Sequence, residues 1–162
     1  MNFELFGSAH LNYIYIMALS WILVPFLSRR YLVKRGQWRL ALCLAISILG
    51  IEIIDDIYRV LDSGVGWDIR TDLPLHMCGF SVFATSWALL KRDQLIFELC
   101  YFWGLGGAIQ AILTPDTTGF HSHFYLFTFM ASHGLIILNV FYLIFVYRMI
   151  LNRGALLRTV VI

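Results

Sequence analysis

The chain has 162 residues, of which 60% are hydrophobic and only 14% are charged, and its net charge is +2. A soluble domain of this size needs many more charged side chains to cover its surface. No segment combines a basic patch with aromatic side chains that water can reach, so the sequence argues against nucleic-acid binding. The composition therefore predicts an integral membrane protein whose partners are membrane lipids.

A helix needs about 20 apolar residues to cross a hydrocarbon layer about 30 Å thick. The predicted helices cover residues 11–27, 40–61, 73–90, 95–113 and 124–147. Pro25 lies near the end of the first helix, and Thr114-Pro115 ends the fourth, since proline cannot continue a helix. No linker or repeat divides the chain. We expect an all-α fold, a polytopic bundle of about five transmembrane helices that forms a single domain over residues 1–162.

Basic residues distinguish the two sets of alternating loops. They cluster after the first helix, after the third and in the tail: Arg29, Arg30, Lys34, Arg35, Arg39, Lys91, Arg92, Arg148, Arg153 and Arg158. The connection between the fourth and fifth helices has no Lys or Arg. Because basic loops stay on the cytoplasmic side, the N-terminus is predicted outside and the C-terminus in the cytoplasm.

Ionisable side chains inside a membrane are costly, so each is expected to have a partner or a function. With this topology, four helices and one loop place such groups in the outer half of the membrane: Glu52, Asp55, Asp56, His76, Cys78, Gln110, His133 and, in the loop, Asp116. Each also has a structural interpretation, as a hydrogen-bonded acid, a core histidine or a packing cysteine. Their convergence predicts an outward-facing polar pocket.

Helix geometry limits what this pocket can do. His76 and Cys78 are two residues apart and point about 160° away from each other, so they cannot form a dyad on one helix. If Cys78 is a nucleophile, its base comes from another helix, and His133 is the candidate. Glu52 would orient or charge-balance a histidine, and Gln110 would donate a hydrogen bond to a developing oxyanion.

A metal-dependent alternative remains open. His76, His133 and a carboxylate could bind a metal ion that activates water, with His121 and His123 as further ligands. The spacing of Cys43, Cys78 and Cys100 provides no paired metal-ligand signature. The sequence therefore identifies no cofactor.

Three motifs resemble the YwaF-like family of bacterial integral membrane proteins. Residues 73–78 resemble its "LPLHxC" signature, residues 101–116 its "YFWGL-G-xQA-LTPD" block, and residues 132–134 its "SHG" motif. Glu52 matches a glutamate usual in the second helix of that family. The resemblance covers about residues 40–147 in three ordered motifs, and it implies a multi-pass protein of the bacterial cytoplasmic membrane.

The YwaF-like family is distantly similar to a eukaryotic family of transmembrane phospholipid acyltransferases. In that branch a cysteine directly precedes the histidine of the first motif, where this chain has Leu75. The resemblance therefore carries over His76 and His133 but not the position of the thiol.

We expect a lipid acyltransferase or hydrolase that uses Cys78, His76 and His133, with Glu52, Asp55, Asp56, Gln110 and Asp116 in supporting or substrate-binding positions. The alternatives are a transporter or ligand-binding subunit that uses the same acid and histidine pocket, and a metal-dependent lipid hydrolase. The sequence leaves open whether the chain acts alone, as a homo-oligomer or within a larger membrane complex.

Overall fold

The computed structural model describes residues 3–61, 77–116 and 122–161, and within these ranges the regular secondary structure is helical. The helices are α1 Ser8–Tyr31, α2 Lys34–Leu61, α3 Met77–Lys91, α4 Gln94–Leu113, α5 His123–Phe145 and α6 Ala155–Val161. A π-helical segment, Cys100–Gly104, lies inside α4. The predicted all-helical bundle is confirmed.

Helix α5 forms the centre of the bundle, because it contacts α1, α2, α3 and α4. Of the most apolar stretch of α5, 61% is buried, against 17% for α1. Helix α1 instead exposes large apolar side chains, among them Ile16, Leu19 and Phe26. Exposed apolar rows of this kind are stable in contact with lipid, so α1 lies at the periphery of the bundle.

Within the described ranges, three helices are long and apolar enough to cross a membrane: α1, α4 and α5. Helix α2 has the length, 28 residues, but it carries Glu52, Asp55 and Asp56. Helix α3 is described over 15 residues, from Met77 onward. The chain is thus a helical membrane protein, while the crossings by α2 and α3 remain predictions from the sequence.

Contacts between helix ends show that successive helices alternate in direction. His10, at the start of α1, bonds the carbonyl of Ile112 at the end of α4. At the opposite end, Ser28 of α1 bonds the hydroxyl of Tyr142 near the end of α5, and that hydroxyl donates to the carbonyl of Gln37 at the start of α2. This second end carries the basic clusters, so we call it the inner end, following the predicted orientation.

The helix bounds differ from the predicted ones near the membrane surfaces. Helix α1 continues past Pro25 to Tyr31, because a proline in a helix removes only one backbone hydrogen bond and lipid-facing helices tolerate it. The fifth predicted segment ends at Phe145 rather than at residue 147, just before Arg148 takes a left-handed conformation with φ of 57°. Helix α6 has no counterpart among the predicted elements.

Candidate functional site

Cys78 lies in the first turn of α3 and is partly exposed. Its sulfur contacts α4 at Gly107, where an added Cβ atom would lie 3.3 Å from Sγ. One turn further along the same pair of helices, a Cβ atom on Gly104 would lie 3.8 Å from the Ser81 hydroxyl oxygen. The glycines of α4 therefore let α3 approach closely, which agrees with the packing function expected of small residues in membrane helices.

The depth of His133 follows from two contacts of α5. Asn139 of α5 donates to the hydroxyl of Thr85 of α3 across a separation of 3.5 Å. Helices α3 and α5 are parallel, so the residues seven positions earlier on each of them are also level. These residues are Cys78 on α3 and, on α5, residue 132, which directly precedes His133. On the antiparallel helix α4, a Cβ atom on Gly104 would lie 3.2 Å from the Ile136 side chain, and one turn away Gly107 is level with His133. Both alignments place Cys78 and His133 at the same depth in the bundle.

Helix α2 brings Glu52 to this level. The hydroxyl of Thr128 donates to Asp55 Oδ1 at 2.6 Å, which aligns the outer half of α2 with the first turns of α5. One turn deeper, Glu52 comes level with residues 131–132, directly before His133. Glu52 lies near enough to Cys78 and Asp56 to interact with both electrostatically. Cys78, His133 and Glu52 thus share one level, and we call them the outer pocket.

The hydrogen bond of His133 defines its tautomer. Its Nδ1 atom lies 2.8 Å from the carbonyl oxygen of Phe129, and the ring packs on the Phe129 ring with centroids 4.3 Å apart. Because a carbonyl only accepts, Nδ1 carries the hydrogen and Nε2 of the neutral ring keeps the lone pair. The backbone therefore fixes the tautomer and the ring orientation of His133.

Other predicted site residues have structural partners. Asp55 forms an ion pair of 2.8 Å with Arg59 as well as its bond to Thr128. The Gln110 amide donates to the Thr114 hydroxyl at 2.7 Å on an exposed surface, one turn above Gly107. Asp56 and Asp116 both have interaction partners. Gln110 is thus bonded within its own helix end rather than to a residue of the outer pocket.

Part of the metal hypothesis falls outside the described ranges. His76 and His121 belong to residues 62–76 and 117–121, of which nothing is described. Among the residues that are described, no three His, Cys, Asp or Glu side chains are close enough to hold one ion. A His133 ligand set remains a prediction that depends on His76.

The sequence interpretation did not single out Glu98 as a site residue, although four hydrogen bonds converge on it. Glu98 is fully buried near the start of α4, and Arg158 of α6 donates to it at 2.6 and 3.2 Å. Gln94 donates to its other oxygen at 2.9 Å, and the backbone N–H of Asn152 does so at 3.2 Å. The sequence does indicate that Glu98 needs a partner, because it is a lone acid in an apolar run. These hydrogen bonds hold α6 and the segment before it against α4 at the inner end. We call Glu98 with Gln94, Asn152 and Arg158 the clamp.

His10 is a second buried polar residue that the sequence interpretation did not single out. Its Nδ1 accepts the backbone N–H of Phe6 at 3.0 Å, and its Nε2 donates to the carbonyl of Ile112 at 2.7 Å. Both ring nitrogens are therefore satisfied by the backbone. His10 joins the start of α1 to the end of α4 and leaves no nitrogen for chemistry.

The three residues of the outer pocket carry groups of the kinds that nucleophilic chemistry uses. A thiol, an imidazole with a defined basic nitrogen and a carboxylate lie at one depth on three different helices. Covalent catalysis requires a nucleophile and a base of this kind. Of the other two cysteines, Cys43 is exposed on α2 and Cys100 is buried in α4.

Comparisons with known proteins place the chain in a family. An uncharacterized protein of Treponema pallidum (strain Nichols) is 30% identical over 136 residues, which are 82% of this chain. The match covers 54% of the Treponema protein, so the chain spans about half the length of that relative. No solved structure matches the chain. The sequence model of the TMEM164 family matches residues 5–162, and the chain therefore belongs to the TMEM164 family.

Proposed function

We propose that the chain is a membrane enzyme that transfers or hydrolyses the acyl chains of lipids through a thioester on Cys78. The observation that supports it is the common depth of Cys78, His133 and Glu52 in the outer half of an otherwise apolar bundle. In the predicted orientation, a site at this depth lies on the side of the outer-leaflet lipids.

The first half of the reaction uses the tautomer that the backbone defines. As Sγ of Cys78 attacks the carbonyl carbon of the lipid ester, the thiol proton passes to Nε2 of His133. The bond between that carbon and the alcohol oxygen then breaks, and the leaving alkoxide takes the proton from the imidazolium. Glu52 balances the positive charge of His133 during this exchange. The products are a lysolipid and an acyl thioester.

The second half regenerates the thiol. An incoming alcohol, or water for hydrolysis, attacks the thioester carbonyl and gives its proton to Nε2 of His133. The carbon–sulfur bond breaks and the departing sulfur recovers the proton. The nature of the incoming group decides between transfer and hydrolysis, and both follow from the same three residues.

Transfer of a radiolabelled acyl chain between lipids in vesicles that contain the purified full chain tests this proposal. Cys78→Ala and His133→Ala are each expected to lower the rate at least 100-fold, since nucleophile and general base each contribute about that much or more. Cys43→Ala is the matched control, because it removes an exposed thiol elsewhere on the bundle. Unchanged transfer in Cys78→Ala would exclude the thioester route.

A second candidate function, proton-coupled transport or ligand binding, is favoured by the half-buried Glu52 beside Asp55 and Asp56. Acids inside a membrane also mark ion and proton paths. Uptake by proteoliposomes that is lost in Glu52→Gln and kept in Cys78→Ala would support transport over catalysis. The opposite pattern would support the thioester route.

A further inference from the structure

A groove at the inner end of the bundle is separate from the outer pocket. It runs between α4 and α5 as an open groove with a volume of about 450 Å³, within the usual range of ligand sites. Phe97 and Tyr101 of α4 form one wall, and Phe141 and Phe145 of α5 form the other. We call it the inner groove. From Phe97 to Leu105 it reaches roughly 12 Å into the bundle, at 1.5 Å per residue.

Its aromatic walls are rigid and apolar. The rings of Phe97 and Tyr101 pack edge to face with centroids 6.3 Å apart, and those of Phe141 and Phe145 do so at 5.7 Å. Such pairs hold each other in place and present hydrocarbon to the space between them. A flexible apolar chain fits this surface better than a polar ligand.

The remaining side of the groove is residues 149–151, and the clamp around Glu98 holds this segment in place. Gln94 donates to the carbonyl of Ile150 at 2.9 Å, and Glu98 accepts the backbone N–H of Asn152. Arg158 fixes Glu98 from the other side. These exposed and partly buried hydrogen bonds therefore hold the 149–151 side of the inner groove against the α4 wall.

Two arginines flank this segment in the chain. Arg148 directly precedes it and Arg153 follows it, and both side chains are exposed. In the part of the chain that the structure describes, neither forms an ion pair, because Arg59 and Arg158 account for the pairs seen there. Positive charge beside an apolar groove at the membrane surface matches the two parts of an anionic lipid.

We propose that the inner groove binds one anionic phospholipid of the cytoplasmic leaflet. One acyl chain lies between the aromatic walls, and Arg148 and Arg153 contact the phosphate. This site lies at the opposite end of the bundle from Cys78, so it does not depend on the thioester reaction.

Native mass spectrometry of the full chain in mild detergent tests the headgroup part. The chain is titrated with phosphatidylglycerol and with phosphatidylcholine of the same acyl chains. One phosphatidylglycerol is expected to bind in preference to phosphatidylcholine. Arg148→Gln with Arg153→Gln should weaken its binding by roughly 25-fold, about 5-fold for each charge at the surface.

The matched control is Arg29→Gln with Arg30→Gln, two exposed arginines at the same end of the bundle but on α1. This control should change the affinity by less than about 3-fold, since neither arginine lines the groove or flanks its 149–151 side. Equal binding of both lipids, or equal losses in the two double variants, would overturn the proposal. So would a dimer that forms in place of the lipid complex.

A phosphatidylglycerol with a photoreactive group in its acyl chain tests the groove itself in the unmodified protein. Labels are expected on peptides that contain Phe97, Tyr101, Phe141 or Phe145. Labels confined to α1 and the lipid-facing side of α2 would mean that the lipid binds only the general lipid-facing surface. The proposal would then fail.

Discussion

The close approach of α1 and α5 at Gly134 leads to a sharp prediction about stability. A Cβ atom added to Gly134 would lie 2.5 Å from Sδ and 3.0 Å from Cγ of Met17, which is too close for real contacts. The Trp21 indole also donates to the Gly134 carbonyl at 2.9 Å, so separation of the two helices would also break this hydrogen bond. We expect Gly134→Ala to force Met17 out of its position.

The expected cost is about 1–3 kcal/mol, the usual effect of overpacking a filled interior. Gly106→Ala is the reference, because nothing lies within 4 Å of its added Cβ atom. Both variants gain the same helix propensity, so the difference between them isolates the contact with Met17. For a chain of this size that difference corresponds to a thermal midpoint lower by about 3–9 °C.

Thermal unfolding of both variants in detergent, followed by circular dichroism, measures the difference. A second pair in a Met17→Ala background completes a double-mutant cycle. There Gly134→Ala should cost no more than Gly106→Ala, since the obstructing side chain is gone. Equal midpoints of Gly134→Ala and Gly106→Ala in the parent chain would refute a tightly packed contact between Met17 and Gly134.

Two further predictions concern the outer pocket and the clamp. Gly107→Ala should slow alkylation of Cys78 by about 2–10-fold relative to Gly106→Ala, because the new Cβ displaces the thiol from its rotamer, and equal rates would contradict the contact. Glu98→Gln should cost about 1–2 kcal/mol, since the Arg158 side chain is 44% exposed and regains water when the charge is lost. Trypsin should then cleave after Arg158 faster, and an unchanged cleavage rate would show that the clamp does not hold α6.

Hydropathy and proline positions predicted much of the fold, because lipid requires long helices with internally bonded backbones. The predicted fourth helix ends at Leu113 in the structure, before Thr114-Pro115. The predicted helix ends near the membrane surfaces were less accurate. Helix α1, for example, continues past Pro25, because helices extend into the polar interface where the apolar pattern stops. The π-helical turn Cys100–Gly104 had no sequence signal at all.

Which residues form the site stays a prediction, but the common depth of three of the predicted residues is visible in the structure. The register of the helices brings Glu52, Cys78 and His133 to one depth, and their intramembrane polarity had singled them out. The tautomer of His133 and the bond between Gln110 and Thr114 were not predictable, since they depend on side-chain rotamers and on backbone atoms one turn away. The place of His76, outside the described ranges, stays a prediction.

The most direct test of the thioester proposal is intact-protein mass spectrometry after incubation with a lipid that carries an isotope-labelled acyl chain. The proposal predicts a labelled acyl adduct on Cys78 in the parent chain, no adduct in Cys78→Ala, and an adduct that forms at least about 100-fold more slowly in His133→Ala, because His133 takes the thiol proton in the first half of the reaction. An adduct on Cys43 instead, or no adduct in any variant while lipid acyl transfer continues, would contradict it.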